Sequence, residues 1–415
     1  MRRITIVFLA VLLFCPFLSA QVADSRAGEI EAARAQKAQN LRPDEPTKVE
    51  RAFSLIQSKL PGGGKRNGGF HLKYGGLVSG AGVLAIGPEY VRPDLAGSKF
   101  LFRGAALLST RRYQKYDLQF TRPARADERY ILDFYTVHRN FPSLGYYGPG
   151  PDSEKGGRSN FRLEDTAFSN TFGLRLAPHL YAGTSVGYLL VNVGPGTDLR
   201  FVSTEKAFTP VGIDRQANFL RHGVFVQYDY RDHPGGPRSG GNYIAAYSQY
   251  RDRTLDVHNF DRLELELRQY LPFFNERRVI ALRGRSVLSF TDSGQKVPFY
   301  LQPTLGGADA LRGYRSYRFY DDNMLVANAE YRWEAFSGLD LAVFADAGKI
   351  FPRRSQWNLH DLESSVGVGM RFNAFNDVLL RVDVGFSHEG FQFWIKLNDI
   401  FEDDPVRPPL TRTVF

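Results

Sequence analysis

The chain has 415 residues, one cysteine and a formal net charge of +9, with 53 lysines and arginines against 44 aspartates and glutamates. That length holds either two ordinary domains or one large β structure. Cys15 falls inside an export signal, so disulfides are excluded from the mature chain, export argues against nucleic acid as the partner of the basic excess, and no window of some twenty unbroken apolar residues offers a transmembrane helix.

Residues 1–20 read as a secretory signal peptide. Arg2 and Arg3 form its charged start, 4–18 its apolar run, and Ser19-Ala20 its small-residue exit. Phe14 is too large for the position ahead of a lipidated cysteine, so Cys15 is not read as an anchor. Cleavage removes Arg2 and Arg3 and lowers the charge from +9 to +7. Residues 21–69 form a short helical and linker segment expected in the periplasm. A polar helix over 24–41 is interrupted by Pro43 and Pro46. Thr47 and Glu50 then have capping-box spacing, and Val49, Phe53, Ile56 and Leu60 follow as one apolar helical stripe. That stripe suits docking on the main body, a membrane surface or a partner. Pro61 and the glycine-rich basic run 62–69 end it. The run lacks the spacing and the Ser or Thr of a phosphate loop.

From residue 70 to 401 the chain reads as strand after strand. Leu263, Leu265 and Leu267 oppose Arg262, Glu264, Glu266 and Arg268. Ala327, Ala329, Tyr331 and Trp333 oppose Asn328, Glu330, Arg332 and Glu334. Val366, Val368 and Met370 oppose Ser365, Gly367, Gly369 and Arg371, and the same alternation runs through 379–387 and 391–398. A soluble sandwich also alternates, with its polar face in bulk water. Here the polar faces mix Arg with Asp or Glu and Gly, and the apolar faces carry Leu, Val and Ala with aromatics near strand ends. That pattern predicts an all-β fold, a transmembrane antiparallel β-barrel with lipid outside and a charged lumen.

About sixteen strands are expected, starting near residues 80, 97, 113, 129, 162, 180, 218, 240, 254, 278, 298, 323, 339, 362, 377 and 390. The first, 80–90, contains Pro88, which marks a poorly paired edge and hence a loosely zipped seam with the last strand. With the last strand ending in the periplasm, this count places the long connections 141–160 and 194–215 there too, although long loops usually face outward. Residues 402–415 form a proline-rich tail.

The segment 305–321 stands out between two strand-like runs, 298–304 and 323–334. It is too long and too rich in arginine and aromatics for a tight hairpin. Gly306 and Gly307 permit backbone angles closed to other residues, and Gly313 lets the chain turn behind Arg312. A loop of this kind folds back and encloses Arg312, whose guanidinium then needs a planar acceptor. Asp346, on one strand face with Phe344, is the candidate. Taken alone, the Arg-Gly pair also suits a surface loop.

Five stretches in order carry a resemblance: 305–314 (LGGADALRGY), 343–348 (VFADAG), 365–372 (SVGVGMRF), 381–387 (RVDVGFS) and 391–397 (FQFWIKL). They resemble the BamA/TamA-type outer-membrane assembly factors, the bacterial surface antigen family. The resemblance implies a sixteen-stranded barrel in the bacterial outer membrane whose long sixth external loop folds into the lumen. It implies a loop motif at Gly306, Gly307, Arg312, Gly313 and Tyr314 that contacts a wall motif at Phe344, Asp346 and Gly348. It also implies insertion or translocation of polypeptides, with the first/last seam as a lateral gate. Relatives carry POTRA domains before the barrel, and 21–69 is too short for one, so the chain reads as a member lacking them.

No G-x-S-x-G or H-E-x-x-H motif is present. His388-Glu389 reads as a solvated pair in a short turn. Asp321-Asp322 sits at the rim, holding a cation or nothing. Glu264, Glu266 and Asp383 are expected to pair with Arg262, Arg268 and Arg381. No catalytic residue, cofactor or metal is expected. The expected partners are outer-membrane lipids and unfolded outer-membrane or secreted polypeptides, with no nucleic acid. A gated or plugged pore, or scaffold, and a barrel enzyme are the alternative functions.

Overall fold

The computed structural model describes residues 68–75, 85–98, 100–122, 129–336, 338–374 and 377–396, with the single positions 31 and 77. The signal peptide, the stripe Val49, Phe53, Ile56 and Leu60, and the tail 402–415 lie outside the described residues.

Sixteen antiparallel strands join in strict sequence order to form a transmembrane β-barrel. They are β1 (Gly69–Gly75), β2 (Ala85–Asp94), β3 (Phe100–Ser109), β4 (Gln114–Arg122), β5 (Tyr130–Tyr146), β6 (Ser159–Ala177), β7 (Leu180–Pro195) and β8 (Phe219–Asp229). The second half is β9 (Gly240–Asp252), β10 (Phe260–Phe273), β11 (Arg278–Phe290), β12 (Asn323–Phe336), β13 (Leu339–Phe351), β14 (Glu363–Ala374), β15 (Asp377–Ser387) and β16 (Gly390–Lys396). Period-2 alternation sets their faces. Leu265, Leu267, Val366 and Val368 are exposed to the lipid side, while Arg262, Glu266, Arg268, Arg371 and Arg381 are buried in the interior.

The number of strands is as expected, but two of them differ. Residues 298–304 are not a barrel strand. Phe299–Leu301 form a 3-10 turn and Thr304–Leu305 pair only with Phe319–Tyr320 in a two-stranded ribbon. Their apolar period reflects burial in a dome at the barrel mouth, where Phe299, Tyr300, Tyr146, Phe161 and Tyr320 pack together. The missing strand is β1, short and flanked by glycine. Ala85 and Pro88 therefore belong to the second strand, paired with Gly75 and Leu72. Pro88 weakens a different contact from the seam. The β2–β3 register runs from Ile86↔Leu108 to Glu89↔Ala105 and passes over Gly87 and Pro88. Residues 254–259 are also a connection, held by Asp252, whose carboxylate accepts the backbone N–H groups of Thr254, Leu255 and Val257.

Adding a strand at the front and removing one at 298 shifts the parity of everything between. The long connections 147–158, 196–218, 291–322 and 352–362 now share one rim, and the longest connection on the other is 230–239. Long loops face outward in such barrels, so the conflict in the sequence reading disappears. On the short-turn rim, the β8–β9 connection reaches sideways. Gly235 accepts from the backbone N–H of Val378 (3.1 Å), and Arg238 Nη2 donates to Asp340 Oδ1 (2.8 Å). Among the described residues no ladder joins β1 to β16, which form the two ends of the strand order.

Candidate functional site

The β11–β12 connection, 291–322, is organised by its own turns before it meets the wall. Gly306 (φ 109°) and Gly307 (φ 94°) sit in the left-handed region that favours glycine. A side chain at Gly306 would strike the Arg315 carbonyl oxygen. The Gly307 N–H donates to Tyr314 O (3.1 Å) and the Arg318 N–H to Leu305 O (3.1 Å), which closes the segment into a finger. Leu305, Leu311, Tyr314 and Phe319 pack with Val287, Met324, Val326 and Ile350. The finger is thus glued to the inner faces of β11, β12 and β13.

Arg312 stands at the tip with no solvent exposure. Its Nε donates to Asp346 Oδ2 (3.0 Å) and its Nη2 to Asp346 Oδ1 (2.8 Å), a bidentate pair. Its backbone N–H donates to the same Oδ2 (3.0 Å). The guanidinium carbon lies 3.3 Å from the Phe344 ring centroid. Asn328 Nδ2 also donates to Asp346 Oδ1 (2.8 Å), and Ser365 Oγ to Oδ2 (3.3 Å). The structure therefore brings Arg312, Phe344 and Asp346 together. Tyr314 points elsewhere: its hydroxyl donates to Glu363 Oε2 (2.6 Å) and lies 3.0 Å from His388 Nδ1. Gly348 sits beside Leu305, which a Cβ there would approach to 3.3 Å.

Gly313 does not play the part read from the sequence. Its φ is not among the positive values, so it is not needed for a left-handed turn. It is needed because the finger touches the wall. A Cβ at Gly313 would lie 2.6 Å from Ser365 Cβ and 2.8 Å from the Phe386 carbonyl. Gly385 faces it, with room for no Cβ beside Gly313 N (2.8 Å). Gly385→Val is therefore expected to expel the finger while the barrel still forms. Protease cleavage within 305–320, with unchanged heat-modifiable mobility of the barrel, would report this; a finger still protected would show that the contact is not tight.

Sequence reasoning missed the hub of the network. Arg312 Nη1 donates to Glu330 Oε2 (2.6 Å), Arg332 Nε to Oε1 (2.8 Å), and Arg371 Nη2 to Oε2 (2.7 Å). One fully buried carboxylate holds three guanidiniums. Arg371 continues to Asp383 Oδ1 (2.7 Å), and Arg381 lies 3.2 Å from Asp383 Oδ2. Arg381 Nη2 then donates to Asp309 Oδ1 (2.9 Å) and Ala308 O (3.0 Å), back on the finger. Alternation placed Glu330 in the lumen, but only the register Glu330↔Phe344 beside Asn328↔Asp346 sets it next to Arg312. Trp394 was missed for the same reason: from β16 its Nε1 donates to Arg312 O (2.8 Å). Ser387 Oγ donates to Gly313 O (2.9 Å).

Of the expected pairings, Glu266–Arg268 (2.7 Å) and Asp383–Arg381 (3.2 Å) are present and Glu264–Arg262 is not. Glu264 pairs with Arg285 (3.1 Å), diagonal to it across the strand pair, rather than with Arg262. Arg262 instead donates to Leu301 O (2.6 Å) and lies against the Tyr250 and Phe260 rings. Glu266 pairs with both Arg268 (2.7 Å) and Arg283 (2.6 Å). Glu389 is no solvated turn residue. It binds Arg318 (2.7 Å), whose Nη2 donates to Ser153 O (2.6 Å) on the β5–β6 connection. At the rim, Asp321 Oδ1 accepts the Asp322 N–H (2.8 Å), and among the described residues no cluster of three metal-ligating side chains occurs.

A family model described as the Omp85 superfamily domain matches residues 97–393. No curated protein matches the chain in sequence. Among solved structures, BamA from Haemophilus ducreyi lacking POTRA domains 1–3 is similar with a TM-score of 0.59 at 13% identity, over 81% of this chain and 71% of that one. CdiB from Acinetobacter baumannii aligns with a TM-score of 0.47 at 11% identity, over 80% of this chain and 59% of that one.

Proposed function

This chain belongs to the Omp85 superfamily, and on that premise we propose that it inserts or translocates polypeptides at the outer membrane, with the finger governing the β1/β16 seam. As an outer-membrane β-barrel of this family it sits among proteins that handle polypeptides. The finer reading rests on one observation: the tip of the finger is bonded to the seam strand itself. Arg312 O accepts from Trp394 on β16, and Gly313 O accepts from Ser387 at the end of β15. Whatever displaces the tip also breaks these two bonds to the last hairpin.

β1 and β16 stand at the two ends of the strand order and so border the seam. An extended client segment can pair with a strand edge there, by adding a strand to it. Client strands and lipid would meet the same outward side chains, Leu72 on β1 and Phe393 and Ile395 on β16, all exposed. A passive pore is disfavoured by the dome, in which Tyr320 Oη donates to Gly145 O (2.9 Å) and Ala217 N–H to Tyr300 Oη (3.1 Å) across the outer mouth. Neither reading calls for a catalytic residue.

The test is photo-crosslinking in cells from Leu72 and Ile395. Adducts with unfolded outer-membrane or secreted polypeptides are expected from both positions. The same probe at lipid-facing Val224 on β8 should capture none. Equal labelling at all three, or adducts with lipid only, would sink the seam as the client's path.

A further inference from the structure

The β13–β14 connection, 352–362, does not project into the external medium. It lies over the lipid-facing surface of the barrel. Ser286, Leu325 and Lys349 are successive cross-strand partners on β11, β12 and β13. Ser286 is also opposite the exposed, lipid-facing Leu265, so this row points outward. Yet Ser286 and Lys349 are buried. The connection covers them: Trp357 Nε1 donates to Ser286 Oγ (3.1 Å), and Lys349 Nζ donates to Asn358 Oδ1 (2.7 Å) and His360 O (3.0 Å). Two polar groups that would otherwise face hydrocarbon are satisfied by this flap.

The flap carries a polarity gradient along the barrel wall. Trp357 and Leu359, beside the Ser286–Lys349 row, remain 54% and 75% exposed on its outer surface. Nearer the rim, Arg354 stacks on the outward Phe290 ring (4.4 Å) and its Nη1 donates to Ser289 O (3.0 Å). There a cleft of about 360 Å³ opens between the β11–β12 and β13–β14 connections, lined by Ser289, Thr291, Asp322, Arg353, Arg354 and Ser355. Among the described residues neither Arg353 nor Arg354 has a carboxylate within ion-pair distance. The one acid in the cleft, Asp322, is turned to Gln302 (2.9 Å), and burial raises its carboxyl above the ordinary range.

The geometry points to a lipid-binding site: the rim cleft takes the phosphate headgroup of an outer-membrane lipid on Arg353 and Arg354, with its acyl chains lying along Trp357 and Leu359. Two guanidiniums beside hydroxyl groups suit a phosphate, which accepts hydrogen bonds on several oxygens. Tryptophan with an apolar neighbour below a cationic rim is the side-chain order expected at a membrane interface. A free phosphate satisfies only the upper half of this arrangement. An amphiphile satisfies both halves, and the flap is already laid against the surface that lipid occupies.

The full chain, placed in phosphatidylcholine nanodiscs containing phosphatidic acid, provides the test, read as phosphatidic acid retained on the ejected protein by native mass spectrometry. Retention is expected to fall about 10- to 100-fold in the Arg353→Gln/Arg354→Gln double variant, since each charge-assisted contact is worth about tenfold. Trp357→Ser with Leu359→Ser should also weaken retention, while millimolar inorganic phosphate should not displace the lipid from the unaltered chain. Unchanged heat-modifiable mobility would show each variant folded. Equal retention in the double arginine variant would overturn the proposal. Displacement by inorganic phosphate, with no effect of the Trp357 and Leu359 changes, would overturn it in favour of a free-anion site. Neither outcome depends on polypeptide handling, so the seam and this cleft fail separately.

Discussion

Glu330→Gln is expected to be more damaging to the finger than any conservative change at Asp346. The two carboxylates look alike in burial but not in load. Asp346 receives one guanidinium together with Asn328, Ser365 and a backbone N–H. Glu330 receives three guanidiniums, from Arg312, Arg332 and Arg371. Replacing its charge by an amide leaves three buried cations around a neutral group. Its NH₂ would also point a donor at donors. Losing one partner of a buried ion pair costs about 3–5 kcal/mol. Glu330→Gln should reach the upper part of that range and Asp346→Asn the lower. Hydrogen exchange of the amides in 305–320 measures the difference. Similar protection in both variants would mean that Arg332 and Arg371 are neutralised from elsewhere.

Arg312→Ala is expected to abolish polypeptide handling while leaving a folded barrel. The side chain supplies three of the finger's contacts to the wall, and its removal also strips the Phe344 ring of its cation. Asp346 and Glu330 keep other donors, so the loss falls near the low end, about 3 kcal/mol. A barrel with sixteen strands survives that globally, whereas the finger, which adds no strand to the barrel sheet, opens locally. Arg312→Lys should not rescue it, because an ammonium cannot span both oxygens of Asp346 while reaching Glu330. A double-mutant cycle with Asp346→Ala, read as finger protection, should give a clearly non-zero coupling energy. A coupling near zero would mean that the two side chains are held in place independently.

Several assignments were legible because they depend on one strand at a time. The apolar and charged faces of β10, β12 and β14 follow from alternation, and the need of an enclosed Arg312 for a planar acceptor follows from guanidinium geometry. Asp346 could be named because it lies close in sequence on a strand of recognisable pattern. Gly313 could be singled out, but the cause was wrong. The turn that glycine permits is a local property, while the crowding by Ser365 and Phe386 arises only when β14 and β15 stand behind the tip.

The strand count illustrates the same limit. Phe299 and Leu301 alternate as a strand does, yet they fill the dome. β1 does alternate, Phe70, Leu72 and Tyr74 against His71 and Lys73, but it is seven residues long between glycines, and its pairing with β2 makes it a barrel strand. By itself, then, the sequence determined which segments alternate, which side chains face inward, and that a buried arginine needed an acid. Tertiary structure alone decided which acid carries three arginines, why Gly313 must be small, and that Trp394 ties the finger to the seam. The facing of a side chain is set by its own backbone, at a period of two. Its partner is set by register across neighbouring strands and by the path of a loop through the lumen, and those are fixed only when the sheet curls round and the finger is seated.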